Sequence, residues 1–193
     1  MISRRLVLTA PAFLALPAWG QAQEAWADRL VSAAAAQIGQ TLTYDPAYVT
    51  LTYPGGDVPR DRGVCTDVVI RAYRDGLGID LQSRVHQDMA ANFTAYPKTW
   101  GLRRPDRNID HRRVPNLETF LKRAGAGLPA GTSWRAGDLI TQRLPGNLPH
   151  ILVVDGRMAA PGRPFAIHNV GAGAKREDVI TAWPIVGHFR WRG

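Results

Sequence analysis

The sequence has little cysteine, no long apolar run and no extended basic run, and each absence removes a class of protein. Cys65 is the single cysteine in 193 residues, so the chain can form no internal disulfide and no zinc site built on a cysteine cluster. No apolar stretch reaches the roughly 20 residues that a helix needs to cross a bilayer. The net charge of +8 is spread along the chain, so no nucleic-acid-binding tail is expected. With 45% hydrophobic residues, the chain can bury one domain core.

Residues 1–22 have the pattern of an export signal. Ser3-Arg4-Arg5 precedes an apolar stretch over 6–19, and Gly20-Gln21-Ala22 offers a small-x-small cleavage pattern. The paired arginines fit a twin-arginine signal, and a Sec signal fits nearly as well. We therefore expect an exported protein, periplasmic or secreted, whose mature part (residues 23–193) is a single domain with a net charge of +6.

Hydrophobic periodicity predicts helices first and strands afterwards. Helical spacing covers 25–40, 64–74, 85–93 and 116–123, whereas short β-branched or aromatic runs cover 138–141, 150–154, 165–170 and 187–191. A further extended segment is predicted over 44–53. This order is typical of an α+β domain in which helices pack on an antiparallel sheet. The polar, proline-containing stretch over about 80–130 is interpreted as a loop-rich insertion.

Cys65 stands in the first turn of the helix predicted over 64–74. The free backbone N–H groups and positive dipole end at such a position stabilise a thiolate, which is the nucleophilic form of cysteine. Histidine is the side chain best suited to exchange a proton with it near neutral pH. His150 opens one predicted strand and His168 lies within the next, so a nucleophile, a base and an orienting residue can meet. His168 and Asn169 face opposite sides of their strand, so only one of them can orient His150. We expect His168 in this role, with Asn169 as the reserve candidate.

Four segments resemble NlpC/p60-type papain-like cysteine peptidases. They are 61–69 around Cys65, 136–140 with Ala-Gly-Asp, 149–155 beginning Pro-His-Ile, and 166–169 with Ile-His-Asn. More specifically, the segments 53–59, 65–67 and 105–117 resemble an exported bacterial family called domain of unknown function 1287.

The resemblance implies a papain-like thiol hydrolase that acts on envelope peptides. Cys65 would be the nucleophile, with its backbone N–H in the oxyanion hole, His150 the general base and acid, and His168 the residue that orients His150. By the same resemblance Tyr53 would help to bind substrate near the thiol. We expect peptidoglycan or an envelope peptide as substrate, no cofactor, no bound metal, and a monomer.

Polar residues near these motifs have two interpretations each. Asp67, two residues after the thiol, would favour the protonated thiol if it faced the sulfur, or would cap the helix. The stretch containing Arg107, Asp110 and His111 would bind substrate carboxylates, or would form an interlocked loop of ion pairs.

Two other functions also fit the residues. A zinc hydrolase would use Cys65, His150 and His168 with an acid such as Asp138, leaving one coordination position open. A non-catalytic envelope-binding module would use the arginine-rich insertion to recognise anionic glycan or peptide carboxylates. Cleavage of a peptide or isopeptide bond by Cys65, His150 and His168 is the leading expectation.

Overall fold

A computed structural model describes the backbone of residues 18–193 and the side chains of residues 25–193. The predicted export signal, residues 1–22, therefore lies mostly outside the described residues. Within the described part, no helix is long and apolar enough to span a membrane.

The described chain is an α+β fold of four α-helices, a five-stranded antiparallel sheet and one small parallel pair. The helices are α1 (Ala18–Ala35), α2 (Cys65–Leu77), α3 (Leu81–Ala91) and α4 (Val114–Arg123). The strands are β1 (Thr43–Tyr44), β2 (Arg62–Gly63), β3 (Leu139–Leu144), β4 (Leu148–Ala160), β5 (Arg163–Asn169), β6 (Ala174–Glu177) and β7 (Ile185–Phe189). Short 3-10 turns cover Phe93–Ala95, Asp110–Arg112 and Pro145–Asn147. The prediction of helices followed by an antiparallel sheet is confirmed.

The large sheet has the strand order β6-β5-β4-β3-β7, so β4 lies at its centre. Alternation along β4 divides its side chains between two apolar layers. Ile151 and Val153 belong to the main core, which also contains residues of all four helices, whereas Leu152 and Val154 belong to a smaller cluster on the other face. The helical layer thus packs on one face of the sheet, with the start of α2 against β4.

The segment 80–130 is part of the core and not a loop-rich addition to it. Its helices α3 and α4 bury Leu81, Val85, Met89, Leu117 and Leu121 in the main cluster. The prolines and charged residues that made the segment look irregular lie mainly between the helices.

The segment 44–53 differs from the extended strand predicted for it. Only Thr43 and Tyr44 pair, in parallel, with Arg62 and Gly63, and residues 45–50 carry no regular structure. Asp45 and Ala47 offer their carbonyl groups to a side chain from a distant part of the chain, described below. A side-chain partner therefore replaces the strand partner that the β-rich composition indicated.

Candidate active site at the start of helix α2

Cys65 is the first residue of α2, and Asp67 organises the turn before it. The Asp67 carboxylate accepts a hydrogen bond from the backbone N–H of Val64 at 2.6 Å, which caps the start of the helix. A Cβ at Gly63 would lie 2.9 Å from Asp67 Oδ2, so this close approach requires glycine. The hydrogen bonds of Asp67 support the helix-cap interpretation, and its charge, which raises the pKa of the thiol, supports the other one as well.

The Cys65 thiol is buried, and only 4% of the residue is exposed. Burial raises the pKa of the thiol to about 11, and the negative charge of Asp67 adds to this effect. The backbone N–H groups of Ile151, Thr66 and Cys65 itself face the sulfur and act in the opposite direction. The resting side chain is therefore a thiol at neutral pH, in contrast to the helix-stabilised thiolate expected from its position.

The neighbouring strands hold a chain of hydrogen bonds between two histidines and a glutamate. Nε2 of His150 lies 2.9 Å from Nδ1 of His168, and Nε2 of His168 lies 3.0 Å from Oε2 of Glu177. His150 is on β4, His168 on β5 and Glu177 on β6, which are consecutive strands of the sheet. The predicted pairing of His150 with His168 is thus present, and Glu177 extends it.

The chemistry of this chain determines the protonation of each ring nitrogen. A carboxylate only accepts hydrogen bonds, so Nε2 of His168 donates to Glu177. In a neutral imidazole the other nitrogen is then an acceptor, so Nε2 of His150 donates to Nδ1 of His168. This leaves the lone pair on Nδ1 of His150 available to take a proton.

Both histidines are held in the neutral form that this assignment needs. Burial, together with the charge of His168, lowers the pKa of His150 from 6.5 to about 3. Burial also lowers the pKa of His168, although the charge and hydrogen bond of Glu177 oppose the change.

Among the described residues no hydrogen bond joins the Cys65 sulfur to the His150 ring, and the two are linked through the backbone of β4. The N–H of Ile151, which faces the sulfur, belongs to the peptide that directly follows His150. Within residues 25–193 the described hydrogen bond of the His150 ring is to His168, and its other ring contact is with Trp183, at 6.3 Å between centroids. Catalytic hydrogen bonds are often long in unliganded sites and shorten when substrate binds.

A cleft of about 460 Å³ opens beside Cys65, and we call it the thiol cleft. It is lined by Tyr44, Pro46, Tyr48, Val64, Cys65, Trp100, Ile109, Arg112, Arg113, Val114, Pro115, Leu148 and Pro149. The tyrosine near the thiol is Tyr44, and not the Tyr53 that the resemblance implied. Burial and the charges of Cys65 and Asp67 raise the pKa of Tyr44 to about 12. The lining is aromatic and apolar with arginines among it, which suits a ligand that has both apolar and anionic groups.

Arg112 supports the floor of this cleft through a buried ion pair with Asp67. The guanidinium donates from Nε to Oδ1 at 2.9 Å and from Nη2 to Oδ2 at 3.0 Å. It also donates to the carbonyl groups of Ala47 and Asp45 at 3.0 and 3.1 Å. One side chain thus fixes the cap of α2 to the loop that follows β1.

Asp110 and His111 are buried in the turn that carries Arg112. Asp110 pairs with Arg113 at 3.2 Å, and its carbonyl accepts from the Asn116 amide at 3.1 Å. Burial lowers the pKa of His111 to about 3, so its ring is neutral at pH 7. These contacts favour the interlocked-loop interpretation of the two residues over direct binding of substrate.

The remaining predicted residues lie apart from the thiol. The amide of Asn169 donates to the carbonyl of Gly63 at 2.9 Å, so it braces the approach to α2 and does not contact His150. Tyr53 packs edge-on against His86, with 5.1 Å between ring centroids, and the Arg107 guanidinium lies 5.6 Å from the Tyr53 ring. Tyr53 and Arg107 are thus neighbours of each other, outside the thiol cleft.

Asp138 does not join the cysteine and histidines as the zinc-hydrolase alternative requires. Its carboxylate binds His188 at 2.7 Å and Arg190 at 2.6 and 2.9 Å. In the part of the chain that the structure describes, no group of three or more His, Cys, Asp or Glu residues is arranged to hold a metal ion.

Comparison with protein families gives one match that covers most of the chain. Residues 31–191 match the family described as "Domain of unknown function (DUF1287)". The chain belongs to this family. A relative from Escherichia coli (strain K12), described as "Uncharacterized protein YijF", is 57% identical over 158 residues, which are 80% of this chain and 77% of the relative.

Glu177 and Tyr44, at the site of this DUF1287 member, were missing from the sequence-based candidates, and Arg112 stood in the polar stretch of Arg107, Asp110 and His111 without a role of its own. Glu177 had a signal, because the Gly171-Ala172-Gly173 turn predicts a hairpin that brings the following residues beside His168. Arg112 had none, since its position depends on contacts with residues 45 and 67 positions away, and Tyr44 had none, since it is placed by pairing with Gly63.

Proposed function

We propose that this protein is an exported cysteine hydrolase that cleaves a peptide or isopeptide bond in peptidoglycan, with a papain-like core of the NlpC/p60 type. The observation that carries the proposal is the His150–His168–Glu177 chain, because it leaves a ring nitrogen of His150 with a free lone pair on β4, the strand whose Ile151 N–H faces the Cys65 sulfur. The family match is compatible with this activity and does not by itself argue for it.

The reaction starts from a neutral thiol and a neutral imidazole. As the Cys65 sulfur attacks the carbonyl carbon, its proton moves to Nδ1 of His150. His150 becomes an imidazolium whose Nε2–H is held by His168, and Glu177 stabilises the positive charge through the second ring. The proton then passes from Nδ1 to the leaving amine, and a thioester remains on Cys65.

Water completes the cycle. His150, neutral again, removes a proton from a water molecule that attacks the thioester carbonyl, and the thiol regains its proton when the acid product leaves. The backbone N–H of Cys65 at the start of α2 stabilises the oxyanion in both steps. Because both reacting groups begin neutral, the proton moves during the attack and no preformed ion pair is needed.

The test is digestion of purified peptidoglycan by protein expressed as the full chain, followed by mass analysis of the soluble fragments. We expect products from the wild type and none from Cys65→Ala or Cys65→Ser, with all three proteins giving the same circular dichroism. Products formed by Cys65→Ala at the wild-type rate would exclude the mechanism. The masses of the fragments identify the bond.

A second candidate is a non-catalytic module that binds the envelope. The observation in its favour is the buried, protonated thiol, which is a weak nucleophile at rest. It predicts that Cys65→Ala binds peptidoglycan as tightly as the wild type and that neither protein releases fragments.

A further inference from the structure

A second cavity adjoins the thiol cleft, and its chemistry is different. This cavity, which we call the basic pocket, has a volume of about 910 Å³. It is lined by Tyr48, His86, Gly101, Leu102, Arg103, Arg104, Pro105, Asp106, Arg107 and Asn108. Three arginines in one cavity, against one aspartate, make it a concentrated positive site.

The three arginines of the pocket have no anionic partner among the side chains of residues 25–193. Most arginines described in the structure bind a carboxylate, as Arg112 and Arg113 do at the thiol cleft. Within residues 25–193, no ion pair is found for Arg103, Arg104 or Arg107, and all three are exposed. Their guanidinium groups are therefore available to an external ligand.

Asp106, the aspartate among the lining residues of the pocket, already has hydrogen-bond partners. Its Oδ2 accepts from the Tyr48 hydroxyl at 3.0 Å, and its Oδ1 accepts from the backbone N–H of Asn108 at 2.9 Å. Asp106 thus holds the loop and Tyr48 in position. Nδ1 of His86 is buried without a hydrogen-bond partner, so the pocket wall also contains an unsatisfied polar atom.

Tyr48 connects the two cavities, because its side chain lines both. Its hydroxyl is fixed by Asp106 and by the Asn108 amide, at 3.0 and 2.9 Å, so its ring is a fixed part of the wall between them. A single extended ligand can therefore cross Tyr48, with its reacting bond in the thiol cleft and a charged group in the basic pocket.

We propose that the basic pocket is a substrate subsite that binds a free carboxylate of the peptide cleaved at Cys65. This inference rests on the proposed function. Arginine binds carboxylates through two parallel hydrogen bonds, and Arg103 and Arg104, adjacent in sequence, supply the donors. Arg107, whose guanidinium lies over the Tyr53 ring, is positioned as a third.

The test measures binding, so that it does not depend on turnover. Full-chain Cys65→Ala protein is titrated with two preparations of peptidoglycan at about 0.15 M salt, where long-range charge effects are screened. One preparation keeps its free carboxylates, and in the other they are converted to amides with carbodiimide and ammonia. The variant is Arg103→Gln/Arg104→Gln, and the matched control is Arg135→Gln/Arg157→Gln, which removes two exposed arginines that do not line the pocket.

We expect Arg103→Gln/Arg104→Gln to weaken binding to untreated peptidoglycan about tenfold, because two charge-assisted contacts are lost. The control should change it less than about twofold. Amidation of the peptidoglycan should weaken binding by the Cys65→Ala parent to the same level. It should not further weaken binding by Arg103→Gln/Arg104→Gln.

Three results would overturn the subsite: equal losses in the variant and the control, undiminished binding by the variant, or a loss in the variant that amidation of the parent does not reproduce. The last result would assign the pocket to a different anion. Cleavage by the wild type with charge-independent binding would reject the subsite and keep the hydrolase. Charge-specific binding without any cleavage would reject the hydrolase alone.

Discussion

At the scale of single residues, Glu177 determines which nitrogen of His150 carries a proton. Because its carboxylate can only accept, every donor and acceptor along the chain of rings is assigned from that end. The carboxylate is 40% exposed, so solvent limits its electrostatic effect, and its orienting effect remains.

Glu177→Gln tests this orienting role. An amide can present either an acceptor or a donor to His168, so the ring loses its single preferred tautomer and the imidazolium loses its counter-charge. We expect kcat for peptidoglycan fragments to fall by about tenfold or more, with little change in KM. Steady-state kinetics of the purified variant give the answer.

Asp178→Asn is the matched control, because it removes the adjacent carboxylate, which pairs with Arg163 away from the histidines. It should leave kcat unchanged. Equal losses in Glu177→Gln and Asp178→Asn would mean that general charge near β6, and not orientation of His168, supports the reaction.

Residue-level prediction from sequence succeeded where a local pattern existed. Strand alternation around Ile167 predicted that His168 and Asn169 face opposite sides of the strand. In the structure His168 is hydrogen-bonded to His150, and Asn169 to the carbonyl of Gly63. The burial of Cys65 has no local signal of this kind, because it is created by the packing of α2 on β4 and not by the residues around it in sequence.

At the scale of elements, the ion pair of Arg112 and Asp67 joins three segments of chain: the turn before α4, the start of α2 and the loop after β1. Both partners are buried, at 6% and 3% exposure. A buried pair is costly to break on one side only, because the remaining charge has no solvent and no partner.

Arg112→Met should therefore destabilise the protein by about 3–5 kcal/mol, since Asp67 keeps a buried charge and two carbonyl groups lose their donor. Urea unfolding followed by circular dichroism measures the change. Arg112→Met/Asp67→Asn, which removes both charges, should recover part of the loss. Arg123→Met, which breaks a surface pair with Asp88, should have a much smaller effect, and a loss as large as that of Arg112→Met would contradict the argument.

Element prediction from sequence was most accurate for strands with a clear apolar pattern. The runs within β3, β4, β5 and β7 all fall in the large sheet. Strand β6 was missed because Ala-Lys-Arg-Glu has no alternation of apolar residues, and it is held in place by pairing with β5 at the sheet edge.

At the scale of the whole molecule, several neutral histidines are buried in the fold. The pKa values of His150 and His111 are lowered from 6.5 to about 3, and that of His168 is lowered as well, with burial as the main cause in each case. In the unfolded chain the same rings take up protons near pH 6.5. The unfolded state thus binds more protons than the folded state between about pH 6.5 and 3.

Stability should be complete above about pH 6.5 and should decrease as the pH falls below that value. His150 and His111 each contribute a slope of about 1.4 kcal/mol per pH unit once their unfolded forms are protonated, and His168 acts in the same direction. The free energy of unfolding in urea, measured between pH 7.5 and 4.5, checks the expectation. His111→Gln should reduce the slope by the contribution of one histidine, and a free energy that stays constant from pH 7 to 5 would contradict the expectation.

The protonated, buried thiol also bears on how long the protein would remain intact in an oxidising compartment. Oxidation to sulfenic and higher acids proceeds from exposed thiolates, and Cys65 is 4% exposed with a raised pKa. The chain has no second cysteine to rescue a sulfenic acid by forming a disulfide. On the proposed mechanism Cys65 would become nucleophilic only with substrate and His150 in place, and its burial would then also protect it from irreversible oxidation between turnovers.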